Sequence, residues 1–400
     1  MSAVDWGEVK DCLSNPLRRA AMLKLAEDIS DGNAPGEDAD GPMLVIARQL
    51  AHSRTAVRQI AGPHKVGIVF AMWRERARIG KLSKENPNGE DCINDKLQSL
   101  SWLFEGTSID WHLYAVDDDC PEHSHDAARA SVQHNDLRKR LSILELGKGW
   151  PFATLPLSRL TDLSHSTKGG AIAYGLGAAI NDGCDFVCYT DCDNSVHVGE
   201  LGNLLIGAMG DNPAAFGDII PNVRTTFINP QRSDTAPAGR LLSHLRKLLM
   251  GFESPTNFMG APFKLFRSSY LKSSLERTEV FDFSFDQWLV LGVTADGYMA
   301  TPTAFSFLDS YEASTWHLVS SYNVEFQKTN GLIGTLRGLN LPHDPLIAAA
   351  FERLVRSPED IERLYAARPA RQMVEGRQRT GDPNLMSKAD IIAYLDEVLA

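Results

Sequence analysis

Hydrophobic residues follow two different periods along the chain, and each period predicts its own kind of element. Apolar positions three to four residues apart predict helices over Pro16–Ile29 and Met43–Ile60. Short, nearly unbroken apolar runs predict buried strands at Lys65–Met72, Asp110–Val116 and Phe186–Thr190. Because helical stretches separate these runs, we expect right-handed βαβ units and a mainly parallel α/β sheet with helices on both faces.

The rest of the pattern extends this core at both ends. A charged stretch over 125–142 predicts a helix, and 257–310 mixes short strands with one helix at Phe285–Leu291. From Pro345 onward the pattern is helical, with helix-capping signatures at Ser357 and Ser387. We therefore expect an N-terminal helical extension (1–61), an α/β domain (62–320, with halves 62–200 and 201–320) and a C-terminal helical segment (321–400).

Composition narrows the class of protein. The apolar fraction of 43% and the charged fraction of 23% are those of a globular protein, and the net charge of −11 is spread along the chain, so no nucleic-acid surface is expected. No apolar run approaches the ~18 residues that a transmembrane helix needs, and the first residues lack the layout of a signal peptide. These features predict a cytoplasmic location.

Three of the six cysteines, Cys184, Cys188 and Cys192, are spaced by four. On a strand such residues would lie ~13 Å apart, which is too far to share one metal ion. We therefore expect the cysteines to be small core residues.

An acidic pair ends the third predicted strand, where Asp191 and Asp193 follow Phe186–Thr190. Ligands of open α/β sheets bind in the crevice beyond the carboxyl ends of the strands. Two carboxylates at this spacing can place hard oxygen ligands on one divalent cation, which in turn neutralises the phosphates of a nucleotide. An Asp-rich turn exposed to solvent is the alternative, because turns favour Asp and Asn.

The order of four motifs resembles that of the GT-A glycosyltransferases, especially the family 2-like members that use nucleotide-sugar donors, and also that of the retaining glucosylglycerate-type enzymes. The motifs are Met72–Glu75, Val116–Glu122, Ser166–Ala171 and Thr190–Asp193. The resemblance implies a Rossmann-like GT-A fold, a nucleotide-sugar donor and a Mg²⁺ or Mn²⁺ cofactor. It also implies that Asp191 and Asp193 both belong to the metal site, where one contacts the ribose or a metal-bound water and the other binds the metal directly, and that Asp191 helps to bind the donor.

Further roles follow from the same resemblance. Glu75 and Asp117, just past strand ends, would face the nucleoside, since ionised carboxylates accept hydrogen bonds from base and ribose. Lys168 and Gly169, at a helix start, would support the diphosphate. A late histidine, His317, would complete the metal ligands.

Two positions are assigned to the acceptor side. Asp286 begins an apolar helical run, where inverting members of the family carry the base that deprotonates the acceptor hydroxyl, with Asp282 as a second candidate. Gly260 would let the sugar approach the backbone closely. Retaining relatives lack such a base and match the pattern as well, so the stereochemical outcome stays open.

The sequence thus predicts a metal-dependent hexosyltransferase that moves a sugar from a UDP- or GDP-sugar to a small polar or sugar acceptor. One alternative is a sugar-phosphate nucleotidyltransferase, although the expected glycine-rich loop is missing after the first strand. The other is a non-catalytic GT-A-like binding subunit. The terminal helices are also candidates for a homodimer surface.

Overall fold

The computed structural model describes residues 4–33, 41–220, 223, 225–228, 236–309 and 321–400. The strands of this part of the chain are β1 (His64–Met72), β2 (Ile109–Asp117), β3 (Leu141–Glu145), β4 (Phe186–Thr190), β5 (Ala214–Asp218), β6 (Thr226–Phe227), β7 (Phe263–Arg267), β8 (Thr301–Ala304) and β9 (Phe307–Leu308). Its helices up to the end of β4 are α1 (Trp6–Ser14), α2 (Pro16–Ser30), α3 (Pro42–Val57), α4 (Arg76–Ile79), α5 (Cys92–Phe104), α6 (Ser124–Ser131), α7 (Leu146–Gly149) and α8 (Gly169–Asn181). The later helices are α9 (Leu201–Ala208), α10 (Pro237–Met250), α11 (Ser268–Glu276), α12 (Phe285–Ala295), α13 (Ser321–Gly338), α14 (Pro345–Leu354), α15 (Pro358–Ala366), α16 (Arg371–Glu375) and α17 (Lys388–Leu399).

Seven of these strands form one sheet in the order β3-β2-β1-β4-β7-β5-β8. β1 runs parallel to both β2 and β4, and β5 runs parallel to β8. β7 is antiparallel to its neighbours β4 and β5. The mainly parallel α/β sheet predicted from the sequence is confirmed, and its carboxyl edge at β1 and β4 is where a ligand crevice is expected.

The central strands are apolar along nearly their whole length because helices cover both faces of the sheet. On one face Ile68 and Phe70 pack with α5 and α9, and on the other Val69 and Tyr189 pack with α8 and α12. Gly175 of α8 lies so close to Val69 that a Cβ there would meet the valine side chain at short range. The acidic ends of β1 and β4 are therefore carried by a rigid, closely packed scaffold.

The N-terminal helices α1 to α3 pack as a separate apolar cluster against the α/β core. The Ser53 hydroxyl donates to the Gly199 carbonyl over 2.6 Å and accepts from the Gly202 amide over 2.8 Å, at the start of α9. Asn194 donates from its side-chain amide to the Leu13 carbonyl over 3.0 Å. The helical extension thus reaches the residue that directly follows the acidic pair.

The C-terminal helices α13 to α17 share an apolar cluster with α10, in which Leu245, Leu336 and Phe351 are fully buried. The predicted caps are present: the Ser357 and Ser387 side chains begin α15 and α17, each in a capping box. Among the described residues no helix is both long and apolar enough to cross a bilayer.

Two predicted elements are wrong. The stretch over 125–142 is not one helix, because α6 ends at Ser131, a 3₁₀ turn follows, and β3 begins at Leu141 as an edge strand paired with β2. Residues 257–310 contain a second helix, α11, besides the predicted one. All six cysteines are buried and unpaired, as their expected core role requires.

Candidate active site

A cavity of about 1250 Å³ opens at the carboxyl ends of β1 and β4. Its wall also includes the turn before α8, the start of α12 and the facing sides of α10 and α13. Of the residues selected from the sequence, those that line it are Glu75, Lys168, Asp191, Asp193, Gly260 and Asp286. The structure thus brings together side chains that are more than 200 positions apart in the chain.

Lys168 lies between two carboxylates of this cavity. Its Nζ is 2.8 Å from Asp191 Oδ1 and 3.9 Å from Asp286 Oδ2. Burial alone would lower the pKa of Lys168, but the two neighbouring carboxylates raise it above its ordinary value, so the side chain is a cation. A fixed ammonium group beside the crevice can neutralise an anionic ligand such as a diphosphate.

The backbone of Lys168 is held in a left-handed conformation with φ of 74°. Asp118 stabilises this turn because its carboxylate accepts from the Lys168 amide over 2.7 Å and from the Ser166 hydroxyl. Thr167 and Gly170 both donate their amides to the Phe281 carbonyl, over 3.0 and 3.1 Å. The turn before α8 is therefore bonded both to the loop after β2 and to the segment that precedes Asp286.

Gly169 faces this packing contact and is not part of the cavity lining. A Cβ at Gly169 would lie 2.6 Å from the Phe281 carbonyl carbon and 2.8 Å from Phe285 Cβ. Only a residue without a side chain fits between the start of α8 and the start of α12. The glycine has a packing role here that the sequence did not reveal.

Asp193 is held by protein groups. The Arg78 guanidinium contacts Asp193 Oδ2, while the Ser195 amide and hydroxyl donate to Oδ1 over 3.1 and 2.5 Å. The side chain of Asp193 is 9% exposed, whereas that of Asp191 is 34% exposed. The two members of the acidic pair therefore have different environments.

Glu75 belongs to the same buried group as Asp193. Its carboxylate forms a two-point contact with Arg78, from Nη2 to Oε1 and from Nε to Oε2, both at 2.7 Å. Burial raises the pKa of Glu75 to about 7 against the opposing effect of the guanidinium. Arg78 thus bridges the carboxylates that follow β1 and β4, a link that the sequence analysis did not identify.

Asp286 lies in the first turn of α12, as predicted, and faces the cavity. The Tyr189 hydroxyl donates to Asp286 Oδ1, and Lys264 Nζ lies 3.4 Å from the same oxygen. Burial raises the pKa of Asp286 to about 6, although Lys168 and Lys328 oppose the shift. A carboxylate with this pKa is ionised at neutral pH and can accept a proton.

Lys264 is a fully buried lysine in β7, and the sequence analysis passed over it. Its Nζ donates to the Ala261 carbonyl and lies 5.1 Å from the centre of the Tyr189 ring. Burial and the nearby Lys168 lower its pKa well below the ordinary value. A charged residue inside an apolar strand is the signal that could have found it, because lysine is buried only where it has partners.

Asp117 lies at the carboxyl end of β2, where its carboxylate is bonded to the protein. Its carboxylate accepts from the Cys120 amide over 2.7 Å and from both the amide and the ring Nδ1 of His125 over 2.9 Å. These bonds fix the loop after β2, and the side chain does not line the cavity. The next two residues, Asp118 and Asp119, line it instead.

A basic region of the cavity wall lies on α10 and α13. Arg246 Nη1 and Lys328 Nζ lie 2.8 and 3.2 Å from the carboxylate of Glu325, which is 1% exposed. Lys247 adds a third cation to this wall. Three cations against one carboxylate leave this side positively charged, so it can receive an anionic group.

The described side chains can supply only some of the ligands that a divalent cation needs. Within the described ranges no group of three or more His, Cys, Asp or Glu side chains is arranged to hold a metal. His317 lies outside the described residues. The partly exposed carboxylate of Asp191 fits a cation that takes its other ligands from water and from a bound diphosphate, as Mg²⁺ and related ions commonly do.

Comparison with known proteins gives a distant structural likeness. No protein-family model matches the chain, and no curated protein matches it. Glucosyl-3-phosphoglycerate synthase from Mycobacterium tuberculosis, solved with Mn²⁺, UDP-glucose and phosphoglyceric acid, is 14% identical with a TM-score of 0.40, over 74% of this chain and 85% of that chain.

Two other solved structures resemble this chain about as closely as that synthase does. A mannosyltransferase from Pyrobaculum calidifontis, in complex with GDP-Man and Mn²⁺, is 12% identical with a TM-score of 0.41, over 95% of this chain and 97% of its own. Mannosyl-3-phosphoglycerate synthase from Rubrobacter xylanophilus is 13% identical with a TM-score of 0.43, over 73% and 80%.

Proposed function

We propose that this chain is a glycosyltransferase that moves a hexose from a UDP- or GDP-sugar to a small acceptor. The observation that carries the proposal is the meeting of Asp191, Lys168 and Asp286 at the carboxyl ends of β1 and β4, in one cavity with a basic wall. A diphosphate needs positive charge beside it, and an acceptor hydroxyl needs a proton acceptor. The cavity offers both.

In this proposal the donor lies along the crevice between β1 and β4. Lys168 would bind the diphosphate, and Asp191 would help to hold a divalent cation, Mg²⁺ or Mn²⁺, beside it. When bound, the cation would offset the negative charge that develops on the leaving diphosphate. The nucleoside end of the donor would lie beside Asp118, Asp119 and the Glu75–Arg78 pair. Asp117 fixes the loop after β2 there through its bond to the Cys120 amide.

In this proposal the acceptor lies in the cavity beside the first turn of α12 and the basic side chains of α10 and α13. Asp286 accepts the proton of the attacking hydroxyl if the reaction inverts the anomeric centre, and Gly260 borders the sugar. Arg246, Lys247 and Lys328 favour an acceptor that carries a phosphate or a carboxylate. Phosphoglyceric acid in the mycobacterial synthase is an acid of this kind.

A donor screen by thermal shift, with and without Mn²⁺, tests the proposal. We expect one nucleotide sugar to raise the melting temperature in the presence of Mn²⁺ and less without it, because a ligand that binds only the folded state stabilises it. Mass spectrometry with that donor and a set of phosphorylated and carboxylated acceptors should then detect a glycoside.

Two results would contradict the proposal. Release of pyrophosphate from a nucleoside triphosphate and a sugar 1-phosphate would identify a nucleotidyltransferase. The chain would instead be a binding subunit if it bound a donor without transferring the sugar to any acceptor, and if an Asp286→Asn variant bound the donor equally well.

A further inference from the structure

Lys264 is a buried lysine that the proposed reaction does not use, and it lies beside the candidate base. It belongs to β7, and its side chain is 0% exposed. Its partners in the sheet register are Tyr189 of β4 and Phe216 of β5, so the three side chains lie on the face that α8 and α12 cover. Because lysine is rarely buried without a partner, the groups around its amine are informative.

Two oxygen atoms accept from the amine of Lys264. Its Nζ donates to the Ala261 carbonyl and lies 3.4 Å from Asp286 Oδ1, the oxygen that also accepts from the Tyr189 hydroxyl. Lys264 has no exposed surface, whereas Asp286 lines the cavity. Asp286 Oδ1 is therefore bonded from the buried side, while Oδ2 lies 3.9 Å from the Nζ of Lys168 in the cavity wall.

The charged and titratable groups around Asp286 come from four elements. Lys264 approaches from β7 and Tyr189 from β4, while Lys168 before α8 and Lys328 of α13 line the cavity. Burial and the nearby Lys168 lower the pKa of Lys264 well below its ordinary value. An amine carries N–H donors in both its charged and its neutral form, so in either form Lys264 favours an ionised Asp286.

We propose that Lys264 is a positioning residue for the transfer reaction, because it holds the carboxylate of Asp286 in place and in its ionised form from the buried side. This inference rests on the proposed function, in which Asp286 accepts the proton of the acceptor hydroxyl. In that step the acceptor O–H bond breaks, the proton passes to the carboxylate, and the oxygen bonds to the sugar as the bond to the diphosphate breaks. Lys264 forms and breaks none of these bonds and acts only through Asp286.

A role in folding alone is the alternative, because the bond to Ala261 also fixes the loop that carries Gly260. The two roles differ in a measurable quantity. If Lys264 only supports the loop, its removal lowers the stability and leaves the ionisation of Asp286 unchanged. If it bonds the carboxylate, its removal also raises the pKa of Asp286, since an N–H donor favours the charged form.

The test removes the amine and compares the result with a matched change in the same strand. Lys264→Met keeps an unbranched side chain in the buried position. Phe266→Met alters the next side chain on the same face of β7, which packs against Phe216 and Tyr270. For each variant, kcat/KM is measured against pH with the donor and acceptor that the screen identifies.

We expect Lys264→Met to move the acidic limb of this profile upward by about one pH unit. It should also lower kcat about tenfold, because the base is held less well, and leave KM for the donor within about threefold. Phe266→Met should lower the melting temperature and leave the acidic limb in place. A limb that moves equally in both variants would show that the effect comes from the packing of β7, and it would overturn the inference.

A thermal-stability cycle tests the same contact without turnover. Lys264→Met, Asp286→Asn and the double variant are melted at pH 8, where Asp286 of the unaltered chain is ionised. Lys264→Met should lower the melting temperature less in the Asp286→Asn background, because the ionised carboxylate is gone. Equal shifts in both backgrounds would overturn the inference. If circular dichroism shows that Lys264→Met does not fold, Lys264→Gln replaces it in both experiments, since glutamine keeps a hydrogen-bond donor there.

The outcomes separate this inference from the proposed function. An active Lys264→Met variant whose acidic limb does not move overturns the inference and leaves the glycosyltransferase proposal intact, as does full activity of Asp286→Asn. Absence of any glycoside from the unaltered chain overturns both. A limb that moves in Lys264→Met but not in Phe266→Met, together with unequal melting shifts in the cycle, supports both.

Discussion

Two glycines of α13 offer a direct test of how the C-terminal helices support the candidate base. Gly331 lies against Ser284, the residue that precedes α12 and stands two positions before Asp286. A Cβ at Gly331 would fall inside the contact distance of the Ser284 side chain, whereas a Cβ at Gly334 would meet nothing within 4 Å. Gly331→Ala and Gly334→Ala are therefore matched variants of one helix.

The expected magnitudes follow from two opposing effects. Alanine is favoured over glycine inside a helix by about 1 kcal/mol, and this gain applies to both variants. Overpacking of a closely packed contact costs about 1–3 kcal/mol, and this cost applies only to Gly331→Ala. The free energies of unfolding of the two variants should therefore differ by about 1–3 kcal/mol, with Gly334→Ala the more stable.

Urea unfolding followed by circular dichroism measures this difference, and a transfer assay measures its effect on turnover. Displacement of Ser284 moves the first turn of α12, so Gly331→Ala should also lower kcat, while Gly334→Ala should not. Equal unfolding free energies for the two variants would refute the packing argument. Unchanged kcat in a destabilised Gly331→Ala variant would refute the link to Asp286.

The further predictions concern four single side chains. Asp286→Asn should abolish transfer if Asp286 is the base, and kcat/KM of the unaltered enzyme should fall as the pH drops below about 6, because the base must be ionised. Since burial raises the pKa of Asp286 in the folded state, ionisation destabilises the fold above pH 6, so Asp286→Asn should melt at a higher temperature than the unaltered chain at pH 8. Tyr189→Phe removes a donor to this carboxylate, so the acidic limb of the pH profile should move to higher pH. Lys247→Ala should raise KM for an anionic acceptor and leave KM for the donor unchanged. Glu325→Gln should destabilise the fold by about 3–5 kcal/mol at pH 7, since it breaks a buried ion pair. Although burial opposes it, the ion pairs lower the pKa of Glu325 to about 2. The difference in unfolding free energy should therefore shrink as the pH falls from about 4.5 toward about 2.

The sequence predicted the central strands and the site that they carry because both depend on local patterns. β1, β2 and β4 are apolar runs that end in acidic residues, and the structure places their ends at one edge of the sheet. β3 was missed because Leu141–Glu145 is only half-buried at the edge of the sheet and follows a charged stretch. Its strand form depends on pairing with β2, which no local pattern records.

The side-chain partners of the site could not be read from the sequence for a related reason. Arg78 and Asp193 are 115 positions apart, and their contact exists only when β1 and β4 are neighbours. The same holds for Tyr189 and Asp286, which are 97 positions apart. Spacing identified the residues that carry charge, but which of them neutralise one another depends on the tertiary structure.

The bond between Asn194 and Leu13 has a consequence for any attempt to transplant this active centre. The first helix of the extension before β1 ends next to the Leu13 carbonyl, which accepts from the Asn194 side chain in the turn after Asp191. In a chimera that combined only the α/β portion with another protein, the Asn194 side-chain amide would lose its bond to the Leu13 carbonyl and keep only the one to the Glu90 carbonyl. A transplant of this cavity would therefore have to include the N-terminal helices together with the loops at the carboxyl ends of β1 and β4.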